Sequence, residues 1–387
     1  MKLLRSLIIL SIAGEMLTAC GDEPEVTVSL KLSKRELILN KTAQSKVVTI
    51  TTSESWVAET PADWLLVSPS SGDGTETVTV SVTENDQGGA RESYVKITTK
   101  SKAMQLVVLQ STNENGAIQT PFSVSADKQV YFSQGNLQYQ ARTGTWRFAE
   151  NQWDYVGTQT PDDNGHYGGT IKGSDNANIS STYDGWIDLF GWATSGWNSG
   201  ANEYQPYSTS TISTDYYVGG EKINNLTGEF ANADWGVYNK INNAGNQAGL
   251  WRTLTYEEWM YLLYDRDDAI LLKGSATVNG ITGIILLPDN WKAQKGITFK
   301  SGTNGYDDNI YTIVDWCRME AYGAVFFPAV GIRNGLDVED VGYFGSYWSS
   351  SAFDNYTYNM YFFSDYLGMD GYENRYEGRS VRLVRDL

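Results

Sequence analysis

Through residues 26–111, apolar and polar side chains alternate with a period of two. Clusters of turn-forming residues interrupt the alternation every few positions. Val26, Val28 and Leu30 alternate with polar neighbours, as do Val78, Val80 and Val82, and Val95 with Ile97. Leu106-Val107-Val108-Leu109 is a fuller apolar run. Period two returns a strand's side chains to the same face, so each segment presents one apolar face that must be covered. Ser68-Pro69-Ser70-Ser71-Gly72-Asp73-Gly74 and Asn85-Asp86-Gln87-Gly88-Gly89 supply turns between the strands. Evenly spaced short strands of this kind predict an all-β sandwich. Residues 112–120 (TNENGAIQT) are polar without periodicity and read as a linker.

From Pro121 the texture changes. Phe132-Ser133-Gln134-Gly135-Asn136-Leu137-Gln138-Tyr139 opens a region rich in Trp and Gly, with long polar loops at 157–182 and 198–222. The 38 Gly, 25 Tyr and 13 Trp of the chain fit many short strands joined by tight turns. One stretch is convincingly helical. Thr255-x-x-Glu258 is a capping box ahead of Trp259-Met260-Tyr261-Leu262-Leu263. Further strands are predicted at 283–288, 323–328, 347–351 and 380–385. The second half therefore reads as α+β, with long loops and few helices.

Composition excludes several function classes. A net charge of −17 leaves no basic face for phosphate backbones, so nucleic acid is not an expected partner. The chain has one histidine, His166, in the polar loop Asp162-Asp163-Asn164-Gly165-His166-Tyr167. A Ser-His-Asp triad or a His base would have to rest on that residue alone. The two cysteines, Cys20 and Cys317, are too few for a zinc site or a disulfide framework. Cys317, in Ile313-Val314-Asp315-Trp316-Cys317, is expected to be buried and unpaired. Glu258 is explained by capping, and its neighbour Glu257 faces another way, so neither is expected to be catalytic. Asp162-Asp163-Asn164-Gly165 and Asp307-Asp308-Asn309 lack the spaced ligands of a calcium loop and read as solvated turns. No metal, cofactor or enzymatic activity is expected.

The N-terminus reads as an address. Met1-Lys2-Leu3-Leu4-Arg5 is basic, Ser6 to Ala13 is apolar, and Leu17-Thr18-Ala19-Cys20 follows. The last four residues resemble a bacterial lipobox. The resemblance implies a signal peptide over 1–19 and lipidation at Cys20. The acidic tether 20–25 resembles the surface-export signal of Bacteroidetes lipoproteins. No other stretch is apolar over the roughly 18 residues a membrane helix needs, so the lipid is the expected sole anchor. The implied location is the outer membrane, facing outward.

Ser55-Trp56, Trp64-Leu65, Pro69 with Gly72, Asn85, Arg91 and Val107-Val108-Leu109-Gln110 resemble the BACON family of immunoglobulin-like modules. The resemblance covers 26–111 and implies either carbohydrate binding or a spacer. The spacer is the favoured reading. Trp56 and Trp64 serve sugar stacking in the first case and the core in the second.

In the second half, Trp251-Arg252-Thr253-Leu254-Thr255-x-x-Glu258-Trp259, Gly323 to Pro328, Tyr347-Trp348-Ser349-Ser350-Ser351 and Arg379-Ser380-Val381-Arg382-Leu383-Val384-Arg385 occur in order. They resemble the formylglycine-generating-enzyme-like branch of the C-type lectin fold, and more closely the Fib-succ major paralogous domain of Bacteroidetes lipoproteins. The resemblance covers about 121–387. The enzymes of that branch use paired cysteines near the C-terminus, and that region holds none here. The resemblance thus implies the scaffold without the chemistry.

Residues 336–377 concentrate aromatics among Asp and Asn. In Tyr358-Asn359-Met360-Tyr361-Phe362-Phe363, alternation puts Tyr358, Met360 and Phe362 on one face, and Asn359, Tyr361 and Phe363 on the other. A strand with one core face has no need of bulky aromatics on its second face, and exposed aromatic patches mark binding sites. The palette is also that of antibody loops. The segment resembles the variable region of lectin-fold proteins diversified by retroelements, which end in a frame like Arg375-Tyr376-x-Gly378-Arg379-Ser380-Val381-Arg382-Leu383-Val384-Arg385. That resemblance implies a displayed receptor for an unknown protein or glycan. The alternative is a carbohydrate-binding accessory lipoprotein of a glycan-utilisation system. The expected ligand-binding residues are Asp337, Asp340, Tyr343, Phe344, Ser346, Phe353, Asp354, Tyr356, Tyr361, Phe363, Asp365, Tyr366, Asp370 and Tyr372, on one exposed surface. Trp348, Tyr358, Met360, Phe362, Leu367, Val381 and Leu383 are the expected core beneath.

Overall fold

The computed structural model describes residues 29–87, 89–157, 175–294 and 296–387. Cys20, the segment before it, Val26, Val28, His166 and Asp162-Asp163-Asn164-Gly165 lie outside the described residues. No helix among the described residues is long and apolar enough to cross a membrane.

The first part is a two-sheet sandwich. One sheet runs Lys31–Leu32, Gln44–Thr51, Glu76–Val82, Leu65–Ser68. The other runs Glu36–Leu39, Ala103–Gln110, Arg91–Thr99, Ser55–Glu59, Ser71–Asp73. Glu36–Leu39 pairs in parallel with Ala103–Gln110, and the remaining pairings are antiparallel. The alternation places Val78, Val80, Val82, Val95 and Ile97 in the core between the sheets. Trp56 is core as well. It is 1% exposed, its indole N–H donates to the Gly74 carbonyl at 3.1 Å, and a Cβ at Gly72 would collide with its ring. Trp64 is half-buried under the Arg91 guanidinium, 4.5 Å from the ring centroid.

The second part is built of small sheets with few helices. Its two ends close on each other, since Gln129–Phe132 pairs with both Phe122–Ser123 and the C-terminal strand Val384–Asp386. A second sheet orders Ile310–Tyr311, Lys273–Val278, Ile281–Leu286 and Val325–Pro328. A third sets Tyr356–Phe363 between Gly345–Phe353 on one side and Tyr366–Gly368 with Tyr372–Asn374 on the other. Three aromatic cores fill much of the interior, one of them around Trp153, Trp316 and Phe326. Trp259, Phe327, Tyr347, Met360 and Phe362 belong to the second; Trp146, Phe190, Trp192, Trp235, Trp251 and Trp348 belong to the third. The irregular chain between them is pinned by indole donors. Trp192 donates to the Ser349 carbonyl at 2.9 Å, and Trp348 to the Phe190 carbonyl at 2.7 Å. Both bonds tie the irregular chain at 190–192 to the strand Gly345–Phe353 while satisfying a buried indole N–H.

The capping box forms. Thr255 Oγ1 accepts the Glu258 N–H at 3.2 Å, and Glu258 accepts the Thr255 N–H at 3.0 Å. The helix Tyr256–Met260 then continues as one π-helical turn over Tyr261–Asp265. Burial by itself raises the Glu258 carboxyl; the Arg252 guanidinium reverses this and holds it below the ordinary carboxylate range.

Three expectations are corrected. Ile313–Ala321 is a second helix of note, started by its own capping box from Thr312 and Asp315. It carries Cys317, which is buried. Residues 112–120 are not a free linker. Ala117 and Ile118 are fully buried, and Ile118 donates to the Phe132 carbonyl at 2.9 Å. The run 380–385 is strand only from Val384; Ser380 to Leu383 are buried as irregular chain, with the Ser380 carbonyl accepting the Trp348 N–H at 3.1 Å.

Candidate ligand-binding face

Tyr356–Phe363 carries the site, because it is paired on both edges while its two faces meet different surroundings. On one face, Met360 and Phe362 are 0% exposed, packed against Tyr347 and Trp259 in a core. Gly345 lies opposite Phe362, and a Cβ there would collide with the Phe362 ring. On the other face, Asn359 is buried and donates to Ser346 Oγ at 2.9 Å, and Arg379 donates to the same oxygen at 2.5 Å. Tyr361 and Phe363 follow on that face and are half-exposed.

Around Tyr361 and Phe363 gathers one aromatic group. Phe363 lies 5.4 Å from Tyr343 and 4.9 Å from Phe344, ring centre to ring centre. Tyr366, opposite Phe363 in register, stacks on Tyr361 at 5.3 Å with 30° between the rings. Both hydroxyls donate to Asp370, from Tyr366 at 2.5 Å and from Tyr361 at 3.1 Å. The Tyr366 and Tyr361 donors hold the Asp370 carboxyl below its ordinary range. Tying both phenols to one carboxylate fixes two large side chains before any ligand arrives, which lowers the ordering cost of binding.

A second aromatic group lies on the opposite face of the same strand. Phe353 pairs with Tyr356, and Tyr358 with Tyr372. Phe353 is 5.1 Å from both Tyr358 and Tyr372, and Tyr358 stacks on Tyr256 at 4.0 Å. Beside them Asp354 forms an ion pair with Lys222.

Of the expected residues, the aromatic ones thus fall into two groups on opposite faces of Tyr356–Phe363 rather than on one surface. Two of them are buried. Phe344 is 8% exposed because its ring is packed among Tyr361, Phe363 and the Arg379 guanidinium. Ser346 is 1% exposed because Asn359 and Arg379 cover it. Tyr358, expected as core, is half-buried, its ring spread between Tyr256 and Phe353. Trp348, Met360, Phe362, Leu367, Val381 and Leu383 are buried. Tyr343, Phe353, Tyr366 and Tyr372 are exposed, as are Asp337, Asp354, Asp365 and Asp370, while Tyr356 and Asp340 are half-buried. The Asp340 carbonyl accepts the Tyr343 and Phe344 N–H groups, so it shapes the turn that presents Tyr343. Tyr256 is the contributor that sequence reasoning passed over. Its position just inside the capping box marks it as helical, but nothing marks it as the partner of Tyr358.

Asp307-Asp308-Asn309 serves the loop itself. Asp308 pairs with Lys300 at 2.5 Å, and the Asn309 amide donates to Ser275 and Lys300 carbonyls at 2.8 and 2.9 Å. Among the described residues, no three His, Cys, Asp or Glu side chains gather as a metal cluster.

Residues 54–111 match the model of the family described as “BACON: Putative binding domain, N-terminal”. No curated protein matches the chain. Among solved structures, a Bacteroides ovatus GH5 xyloglucanase in complex with a XXXG heptasaccharide is similar at 22% identity and a TM-score of 0.22. That match covers 22% of this chain and 19% of the xyloglucanase, so the chain spans a small part of that enzyme. A Bacteroides thetaiotaomicron protein solved by NMR is similar at 15% identity and a TM-score of 0.18, over 23% of this chain and 92% of that one. The E. coli chaperone DraB is similar at 10% identity and a TM-score of 0.19, over 31% of this chain and 80% of its own.

Proposed function

We propose that the protein is a ligand-binding lipoprotein, anchored through Cys20 in the outer membrane and displayed on the cell surface. Its C-terminal half is read as a C-type-lectin-like domain of the Fib-succ and formylglycine-generating-enzyme-like kind, used for binding and not for catalysis. The BACON-type sandwich lifts it from the membrane. One observation carries the reading: Tyr343, Tyr361, Phe363 and Tyr366 form a contiguous, partly exposed aromatic group in which the Tyr361 and Tyr366 phenols are already fixed on Asp370. Preorganised aromatics of this kind are the usual anchors of binding faces. The ligand is a protein or a glycan, and segment 336–377 is read as diversified by a retroelement.

Two experiments test this. The first compares purified wild type with Tyr361→Ala and Phe363→Ala on panels of surface proteins and plant and host glycans. Binding present in wild type and lost in both variants supports the face; binding unchanged in both removes it. Retention on glycans alone would favour the accessory glycan-binding reading. The second follows Cys20→Ala in cell fractions. Membrane attachment that survives this change refutes the anchor. For diversification, a reverse-transcriptase gene beside a near-copy of the 336–387 coding segment, differing only at adenines, is the expected finding.

A further inference from the structure

A pocket of about 490 Å³ opens between the π-helical turn Tyr261–Asp265 and the strand Tyr366–Gly368. This falls within the roughly 300–1,000 Å³ range of small-molecule sites. Its walls are mostly apolar, from Leu263, Tyr264, Ile270 and Leu367, with Gly302 and Thr303 on one side and Tyr366 at the side it shares with the aromatic face. Lys273 is the single charged side chain that lines it.

The surroundings of Lys273 are unusual for a chain of net charge −17. Its Nζ donates to the Leu263 carbonyl and lies 4.3 Å from the centre of the Tyr264 ring. Among the described residues it makes no ion pair with a carboxylate. The charged neighbour that acts on it, Arg266, has the same sign and is committed to Asp289 at 2.9 Å. Burial, reinforced by Arg266, pushes the Lys273 ammonium down to about 8. A cation taken out of water without a counter-charge is costly, and an incoming anion relieves that cost. At the rim, Ile270 is 72% exposed and its neighbour Leu271 56%, more apolar surface than an isolated turn requires.

We propose that this pocket binds an organic carboxylate with an apolar body, its carboxylate on Lys273 Nζ and its hydrocarbon against Ile270, Tyr264 and Tyr366. The charge fixes the anionic end, since every other lining side chain is uncharged. The apolar walls fix the remainder, because a small hydrophilic anion would leave them uncovered. The proposal stands apart from the receptor reading. It concerns a pocket with its own cation, and it holds whether or not the aromatic face binds a macromolecule.

The test is calorimetric titration of the full-length protein with 3-phenylpropionate, 3-phenylpropionamide and acetate. Saturable binding of the acid is expected, with the amide and acetate each weaker by roughly tenfold or more, a difference of about 1.4 kcal/mol. Lys273→Met should remove the preference for acid over amide. Ile270→Ser changes an exposed side chain that the fold does not need and, adding no charge beside Lys273, should weaken acid and amide together. The acid should also protect Lys273 from reductive methylation in the unmodified protein, a readout that no variant can confuse. Equal binding of acid and amide, no saturable binding, or methylation of Lys273 unaffected by the acid would each overturn the proposal.

Discussion

Arg318, on the helix Ile313–Ala321, and Glu92, on the sandwich strand Arg91–Thr99, face each other across the junction of the two halves. The guanidinium donates through Nε and Nη2 to both carboxylate oxygens at 2.8 and 2.7 Å. Both side chains keep about a third of their exposure, 34% and 39%, so the pair contributes no more than about 1 kcal/mol. Its value is in register. Arg318→Glu should set like charges together and increase proteolysis at the junction with little change in melting temperature. The double exchange Arg318→Glu with Glu92→Arg should restore resistance. A double exchange that cleaves as fast as the single change would show that the contact does not hold the junction.

Phe362 and its neighbours in sequence should separate stability from binding. Phe362 is 0% exposed, and Phe362→Ala opens a cavity that should cost about 3–5 kcal/mol in urea unfolding. Tyr361→Ala and Phe363→Ala remove half-exposed rings and should cost clearly less while abolishing ligand binding. Equal destabilisation by all three would mean that the strand buries both faces.

Asp234 should make stability fall as pH rises. It is 1% exposed, and burial pushes its carboxyl up from an ordinary 3.8 to about 6, even though it accepts the Gly236 and Thr253 N–H groups at 3.0 and 2.7 Å. The folded state therefore holds a proton that an unfolded aspartate releases. Its contribution is fully present below about 4 and is lost as pH rises through about 6. The decline across that window should be shallower in Asp234→Asn than in wild type. Parallel melting curves between pH 4 and 7 would contradict this.

Cys317 should be inert in the native protein. Burial pushes its thiol well above the ordinary cysteine range, so the thiolate that attacks disulfide reagents is scarce and enclosed. In a Cys20→Ala background, Ellman's reagent should titrate Cys317 only after denaturant is added. Stoichiometric reaction in native buffer would show that the helix Ile313–Ala321 opens readily.

The parts of the fold that were legible in the sequence are those governed by local rules. The alternation at Val78, Val80 and Val82 places these residues inside because a strand facing another sheet has only one inner face. Thr255 and Glu258 satisfy each other within four residues, so their box needs no tertiary information. The helix Ile313–Ala321 escaped because its box closes with Asp315, not the Glu or Gln of the usual pattern. Ala117 and Ile118 escaped because two adjacent apolar residues in a polar run show no period, and each is buried by a different core of the second half. Within the candidate face, alternation separated Phe362 from Tyr361 and Phe363. It could not foresee that strand coverage changes partway. Tyr372–Asn374 flanks the first residues of Tyr356–Phe363, and Tyr366–Gly368 flanks the last. Tyr356 and Tyr358 share the face of Met360 and Phe362, opposite Tyr361 and Phe363, and at that end of the strand the face meets Tyr256 and Phe353.

The fate of residues 112–120 bears on how load passes between the two halves of the chain. A linker of that length in random coil would let the second half swing, and a tug on it would first spend itself straightening slack. Here Lys41 grips the segment from the sandwich side, through its N–H to the Asn113 carbonyl at 2.9 Å and its ammonium to Glu114 at 3.1 Å. Four residues on, Ala117 and Ile118 are sunk in the cores of the other half. A pull on the aromatic face therefore meets a strut with no slack to take up, and tension passes directly into the hydrogen bonds of the sandwich.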